Sequence, residues 1–153
     1  MSLTLISTPL DITTSDTAVA TVSITSGITS TYDSYEFHFV NIHGATDDKS
    51  FMFQVDTGSD TDYDQPMTTT FWQTFLHESS GDTGLAYSSG NDQATTGDGN
   101  GVFQKLAKDQ GADADQVGCG VLTLFDPSNT TFHKHFASYS NNSQGSDYTQ
   151  SAH

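Results

Sequence analysis

A run of aspartates between residues 56 and 64 is the densest group of potential metal ligands in the chain. It reads Asp-Thr-Gly-Ser-Asp-Thr-Asp-Tyr-Asp, so that Asp60, Asp62 and Asp64 alternate. Alternating carboxylates can direct their oxygens at a hard cation such as calcium, but the glycine and glutamate positions of an EF-hand are absent. Isolated aspartate clusters are common in solvated loops. We interpret the run as an acidic loop and keep calcium as the alternative.

Two histidines, His133 and His135, flank Lys134 near the end of the chain. On a strand they share one side, and imidazole pairs are typical zinc ligands. His38 would be the third ligand. No established zinc spacing links the three residues. We therefore favour an exposed polar strand face over zinc, and we assign no cofactor.

No catalytic motif is present in the sequence. The nucleophile elbow Gly-x-Ser-x-Gly is absent, and the glycines at 97–101 have an aspartate and no lysine, which disfavours phosphate. Carboxylate pairs for glycoside hydrolysis are recognised only by their geometry. The single tryptophan, Trp72, is expected to pack in a core, with a sugar-binding platform as the alternative. We predict a protein that is not an enzyme.

The charge of the chain limits its partners. The 153 residues include 19 acidic side chains against four basic ones, all of which are lysine, and the net charge is −15. Such a surface repels nucleic acid and anionic membranes. Hydrophobic residues make up only 33%, but 11% of the chain is aromatic, which is enough to build a core. The composition indicates one folded, acidic domain.

The elements that must position these residues are strands. In residues 34–42, Tyr35, Phe37 and Phe39 alternate with Glu36 and His38, which predicts one face on a core and one in solvent. No helical spacing stands out. We predict an all-β fold, an antiparallel β-sandwich of jelly-roll type with about eight strands and long acidic loops. The predicted strands are 3–8, 18–24, 34–42, 51–55, 68–76, 102–106, 117–125 and 130–138, with a short one near Leu85 and Tyr87.

Pairing and boundaries follow from the segments between these strands. We predict a central hairpin of 34–42 with 51–53, and a second hairpin of 117–125 with 130–138, turned at Asp126-Pro127. Gly118 and Gly120 alternate within a strand, which is typical of close backbone approach. Residues 77–100 are predicted to be a long surface excursion. Residues 1–139 are predicted to form the sandwich, and 140–153, which are almost wholly polar, a C-terminal tail or linker.

One phrase of the sequence resembles a known family, the small β-rich structural proteins of tailed bacteriophages, especially those of marine bacteria. The matching residues are Gly27-Ile28-x-Ser30-Thr31-Tyr32-Asp33-x-Tyr35-x-Phe37-x-Phe39-x-Asn41-Ile42-His43 and Ala45-Thr46-Asp47. Weaker matches lie at 103–106, at 109–111 and at 122–128. The resemblance extends over most of residues 3–139.

The resemblance implies a non-enzymatic virion component, either a capsid decoration protein or a tail or fibre appendage. It implies assembly with other virion proteins and a closed homo-oligomer, for which a trimer is suitable because neighbours would cover exposed sheet edges. It also implies further strands, so we expect either a truncated copy of the sandwich or a closing strand supplied from elsewhere. The alternatives from other classes are a carbohydrate-binding module for host adsorption and a polysaccharide hydrolase.

Overall fold

The computed structural model describes residues 3–6, 19–57, 62–93, 103–145 and 148–152. In these residues the fold is all-β, with one short 3₁₀ turn at Ser89–Asn91. The strands are β1 Ser34–Ile42, β2 Lys49–Phe53, β3 Trp72–His77, β4 Thr83–Tyr87, β5 Gln104–Gln110, β6 Gly118–Phe125, β7 His135–Ser143 and β8 Tyr148–Ala152. The described part of the chain contains no helix that is long and apolar enough to cross a membrane.

The strands form two antiparallel sheets of unequal size. The large sheet has the order β1-β6-β7-β8-β3-β4, and the small sheet pairs β2 with β5. The antiparallel all-β prediction is therefore confirmed. The division into six and two strands does not establish a jelly-roll, which joins two larger sheets, so that part stays a prediction.

The core lies between the small sheet and one face of the large sheet, which we call the inner face. Phe39, Leu106 and Leu122 form its buried centre. The Phe39 ring lies 4.9 Å from the Phe51 ring between centroids, and Phe53 meets Phe136 edge-on at 4.8 Å. Burial of a side chain of this kind contributes roughly 1.5–3 kcal/mol. The alternation predicted for β1 is confirmed, since Tyr35 and Phe39 are buried and their neighbours are not.

Polar side chains also connect the two sheets. Ser140 and Asn142 on β7 are 0% and 1% exposed. Ser140 Oγ donates to the Leu106 carbonyl at 2.5 Å, and Asn142 Nδ2 donates to the Lys108 carbonyl at 2.9 Å. Both carbonyls belong to β5. Backbone acceptors on β5 satisfy the Ser140 hydroxyl and the Asn142 amide nitrogen in this part of the core.

Two local predictions about β6 are confirmed. A Cβ atom on Gly120 would lie 2.4 Å from the Phe39 ring, and one on Gly118 would lie 2.1 Å from Gln110 Nε2. Both glycines therefore allow the close approach that their spacing indicates. The pairing of β6 with β7 is present, and its register runs from Gly118 opposite Asn142 to Phe125 opposite His135. The predicted partner strand 130–138 and its tight turn are wrong in their bounds, because residues 126–134 form no strand and β7 begins at His135.

The predicted central hairpin is wrong. β1 pairs with β6, and β2 pairs with β5 in the other sheet. The chain therefore crosses from one layer to the other between Ile42 and Lys49. Asn41, which adopts a positive φ of 55°, lies at an irregularity in the β1–β6 register. Asparagine tolerates this left-handed conformation better than most residues.

The ends of the predicted domain also need correction. Residues 3–6 and 19–24 belong to no strand, although strands were predicted at 3–8 and 18–24; residues 7–18 lie outside the described part. Residues 140–153 were predicted to be a polar tail, yet β7 continues to Ser143 and β8 pairs with both β7 and β3. The prediction failed because serine, asparagine and glutamine can take strand positions when the sheet satisfies their polar groups. In the predicted 77–100 excursion, Thr83–Tyr87 forms a strand and residues 94–100 lie outside the described part.

Candidate functional site

The second face of the large sheet, which we call the outer face, has no covering layer among the described residues. Residues directly opposite one another in an antiparallel pair share a face, so the register assigns each side chain. Several large apolar residues of this face are 44–73% exposed, among them Trp72, Leu76, Leu85, Tyr87, Phe125 and Tyr139. Exposed apolar side chains on one face of a sheet make that face a candidate interaction site. The outer face is therefore the first candidate site.

Two rings stack at one end of this face. Trp72 on β3 lies directly opposite Tyr87 on β4, with ring centroids 5.2 Å apart and planes inclined at 47°. Trp72 is 44% exposed. The expectation that it packs in the core is therefore wrong, because the small sheet covers the inner face and Trp72 projects from the outer one. A sugar-binding platform, the alternative for Trp72, requires exposed rings, and these rings are exposed.

Asp92 holds this end of the sheet together. Its Oδ1 accepts a hydrogen bond from the Phe71 amide at 2.8 Å, and its Oδ2 accepts one from the Tyr87 hydroxyl. The Asp92 carboxylate raises the pKa of Tyr87 by accepting its proton in a hydrogen bond, and burial and charge repulsion act in the same direction. Tyr87 is thereby fixed as a neutral hydrogen-bond donor beside Trp72.

A groove of about 400 Å³ opens next to Trp72, between the first half of β7 and the strand-like segment before β3. Its lining comprises Thr68, Thr69, Thr70 and Trp72 on one side and Lys134, His135, Phe136, Ala137 and Ser138 on the other. Among these lining residues none has a carboxyl group. The described lining therefore offers no pair of acids of the kind that a glycoside hydrolase needs.

His38 lies apart from the other two histidines of the zinc alternative, of which His133 is exposed just before β7 and His135 is the first residue of β7. His38 is level with Val121 on β6, and His135 is level with Phe125, four residues further along the strand. At ~3.3 Å per residue this offset alone is about 13 Å, too far for shared coordination. His38 Nε2 instead meets Glu36 Oε2 at 3.0 Å. In the described residues no group of three or more potential ligands could hold a metal.

The calcium alternative is described only in part, because Asp60 lies outside the described residues. Asp62 is exposed, and Asp64 Oδ1 accepts a hydrogen bond from the neighbouring Gln65 side chain at 3.3 Å. These contacts are those of a solvated loop, and the aspartates that are described form no metal-binding group.

Sequence reasoning did not assign a role in this region to Thr69, Tyr87, Asp92 or Lys134. Thr69, Tyr87 and Lys134 lie in predicted strands, but the pattern of a strand does not show which distant residues it meets. The Thr-Thr-Thr-Phe-Trp run at 68–72 was read as one strand, whereas β3 begins only at Trp72. The sequence shows that Trp72 and Phe71 point to opposite sides of an extended segment. It does not show which of the two sides is covered.

Comparison of the chain with known protein families, with curated proteins and with solved structures found no match.

Proposed function

We propose that the chain is a structural component of a tailed-phage virion, a capsid decoration protein or a tail-fibre appendage, that acts by protein–protein assembly. The resemblance at residues 27–47 supports the virion, and the uncovered outer face of the large sheet supports assembly. Burial of its exposed large apolar side chains by a neighbouring subunit would be favourable, because it removes apolar surface from water. The chain supplies the surface, and no reaction is required.

Leu85 is the most useful residue for testing assembly, because it is 73% exposed on β4 and lies at the edge of the large sheet. The variant Leu85→Lys places a charge where a partner would lie, and should lower the mass measured by sedimentation at a given concentration. Ser128→Lys on the exposed β6–β7 loop is the matched control, because it changes the net charge equally. Equal masses for both variants would count against assembly through the outer face.

The virion part of the proposal has a separate test. Mass spectrometry of purified phage particles should detect this polypeptide at a stoichiometric copy number. Immunogold labelling should then place it on the capsid or on the tail. Particles that lack the polypeptide would refute the virion role, whatever the purified chain does in solution.

A carbohydrate-binding module is the second candidate, because the Trp72–Tyr87 pair is exposed. Aromatic faces of this kind can stack on sugar rings, and the Tyr87 hydroxyl orients the pair. Titration of host surface polysaccharide should show binding that Trp72→Ala abolishes. Phe125→Ala is the matched control, since Phe125 has the same 44% exposure and is not a lining residue of the groove. Equal losses for both variants, or no binding, would exclude this candidate.

A further inference from the structure

In the described part of the chain, the groove beside Trp72 has the form of an unoccupied strand position in the large sheet. Among these residues β8 pairs with β7 from Ser140 to Ser143, and with β3 from Gln73 onward. The five preceding residues of β7, 135–139, pair with β6 on one side, and residues 135–138 border the groove. In the described part of the chain no backbone hydrogen bond joins 135–138 to 68–72.

A strand in this position would continue the line of β8. Ala152 lies opposite both Ser140 and Gln73, which are inner-face residues, and β8 is antiparallel to both neighbours. An incoming strand would therefore run antiparallel to β7. Its alternate side chains would lie over Phe136 and Ser138 on the inner face, and the others beside Trp72 and Ala137 on the outer face. The position therefore favours a segment that forms a strand and whose alternate side chains suit the two different faces of the sheet.

Residues 19–24, which we call the arm, have these properties. The arm reads Val-Ala-Thr-Val-Ser-Ile, belongs to no strand, and exposes Val19, Val22 and Ile24 to 50%, 46% and 55%. One side of an extended arm would present Ala20, Val22 and Ile24. β-Branched residues favour positions on a pleated sheet, and the arm belongs to neither sheet.

Charge also favours this occupant. The arm has no ionisable side chain, whereas the whole chain carries −15. A segment that brings no carboxylate into a second, equally acidic molecule avoids an uncompensated buried charge. At six residues the arm is long enough to cover 134–138, the part of β7 that lines the groove.

We propose that the groove between β7 and residues 68–72 is a strand-acceptor site, and that it binds the arm of a second copy of this chain by β-strand addition. The main chain supplies the hydrogen bonds and the apolar side of the arm covers Phe136. This inference deepens the assembly part of the proposed function. It rests on that part because it requires copies of the chain to associate. It does not require a virion.

Trp72 is the only tryptophan in the chain and lines the acceptor site, so its fluorescence reports occupancy directly. For the full-length chain we expect a concentration-dependent blue shift of the emission, together with a sedimenting mass above that of one chain. Val22→Asp puts a charge on the apolar side of the arm and should raise the midpoint of both changes at least about tenfold. Ser23→Asp, which adds the same charge on the opposite side, should behave like the unaltered chain.

A synthetic peptide of residues 18–25 provides the second measurement. Added to the Val22→Asp chain, it should restore the blue shift, because Val22 is 46% exposed in a segment outside both sheets and its replacement leaves the acceptor site intact. An unaltered chain that stays single, with an emission that neither concentration nor peptide changes, would overturn the proposal.

Two other outcomes would also overturn it and would identify the alternative. A single chain whose Trp72 emission depends on Val22 would mean that the arm occupies the site of its own molecule. Association that Leu85→Lys weakens and Val22→Asp does not would mean that the outer face alone joins the copies. In that case the proposed function stands and the strand-acceptor inference fails.

Discussion

The indole of Trp72 and the phenol of Tyr87 lie directly across the β3–β4 pair, with centroids 5.2 Å apart. They project from the face of the large sheet that no strand of the described residues covers. Both side chains are more than 40% exposed, at 44% and 49%. A cross-strand aromatic pair stabilises the pairing of the two strands that it joins at the edge of a sheet. It also leaves two ring faces available for a partner, whether protein or sugar.

The first prediction concerns the ionisation of Tyr87. The hydrogen bond to Asp92 holds the pKa of Tyr87 above its ordinary value of 10.0, so the protonated form is favoured in the folded chain. Its contribution to stability is therefore complete below pH 10 and is lost as pH rises through the raised pKa. Asp92→Asn should return the tyrosine titration toward 10.0, as followed by phenolate absorbance. Tyr87→Phe identifies which step in the titration belongs to this residue, and an unchanged profile in Asp92→Asn would contradict the assignment.

The second prediction concerns the packing of Gly120 under Phe39. A methyl group at this position would meet the ring at 2.4 Å and the Tyr139 carbonyl at the same distance, and the carbonyl belongs to the paired strand. Gly120→Ala should therefore lower the free energy of unfolding by about 1–3 kcal/mol. Gly90→Ala is the control, because no atom lies within 4 Å of the added methyl group. Urea unfolding of the two variants gives the comparison, and equal midpoints would refute this packing.

The third prediction tests the polar link between the sheets. Ser140→Ala removes the hydrogen bond to the Leu106 carbonyl and leaves a buried acceptor unsatisfied, which costs about 1–3 kcal/mol. Ser138→Ala, two residues earlier on the same face but only partly buried, should change stability by less than half as much. Thermal unfolding monitored by circular dichroism measures both. A larger loss in Ser138→Ala would show that the link is unimportant.

The fourth prediction concerns the hydrogen bonds between Thr29, in the segment before β1, and Tyr35 in that strand. The Tyr35 hydroxyl donates to the Thr29 carbonyl at 2.8 Å and accepts from the Thr29 amide at 3.0 Å. Tyr35→Phe should accelerate hydrogen exchange at the Thr29 amide and lower stability by about 0.5–1.5 kcal/mol. Tyr32→Phe retains the edge-on contact of the two rings, which lie 6.0 Å apart, and should leave that amide protected. Identical exchange in both variants would contradict this role for Tyr35.

The sequence alone determined the local backbone and the faces of the strongest strands. Alternating rings in β1 and the small residues in β6 predict extended segments, because side chains on a strand change sides at every residue. The all-β class, the β6–β7 pairing and the close approach at Gly118 and Gly120 followed from such local patterns. These features depend on neighbours in the chain or across one connecting loop.

Only the tertiary structure decided which strands meet and which face is covered. β1 and β2 are close in sequence but lie in different sheets, and β8 is built from residues with a polar, tail-like composition. Such pairings depend on contacts between distant residues, which periodicity does not encode. The alternating sequence pattern around Trp72 is the same whether its side chain faces the core or the solvent. The exposure of Trp72 follows because the small sheet covers only the inner face of the large one. The acceptor site beside it exists because, among the described residues, β8 pairs with only part of β7.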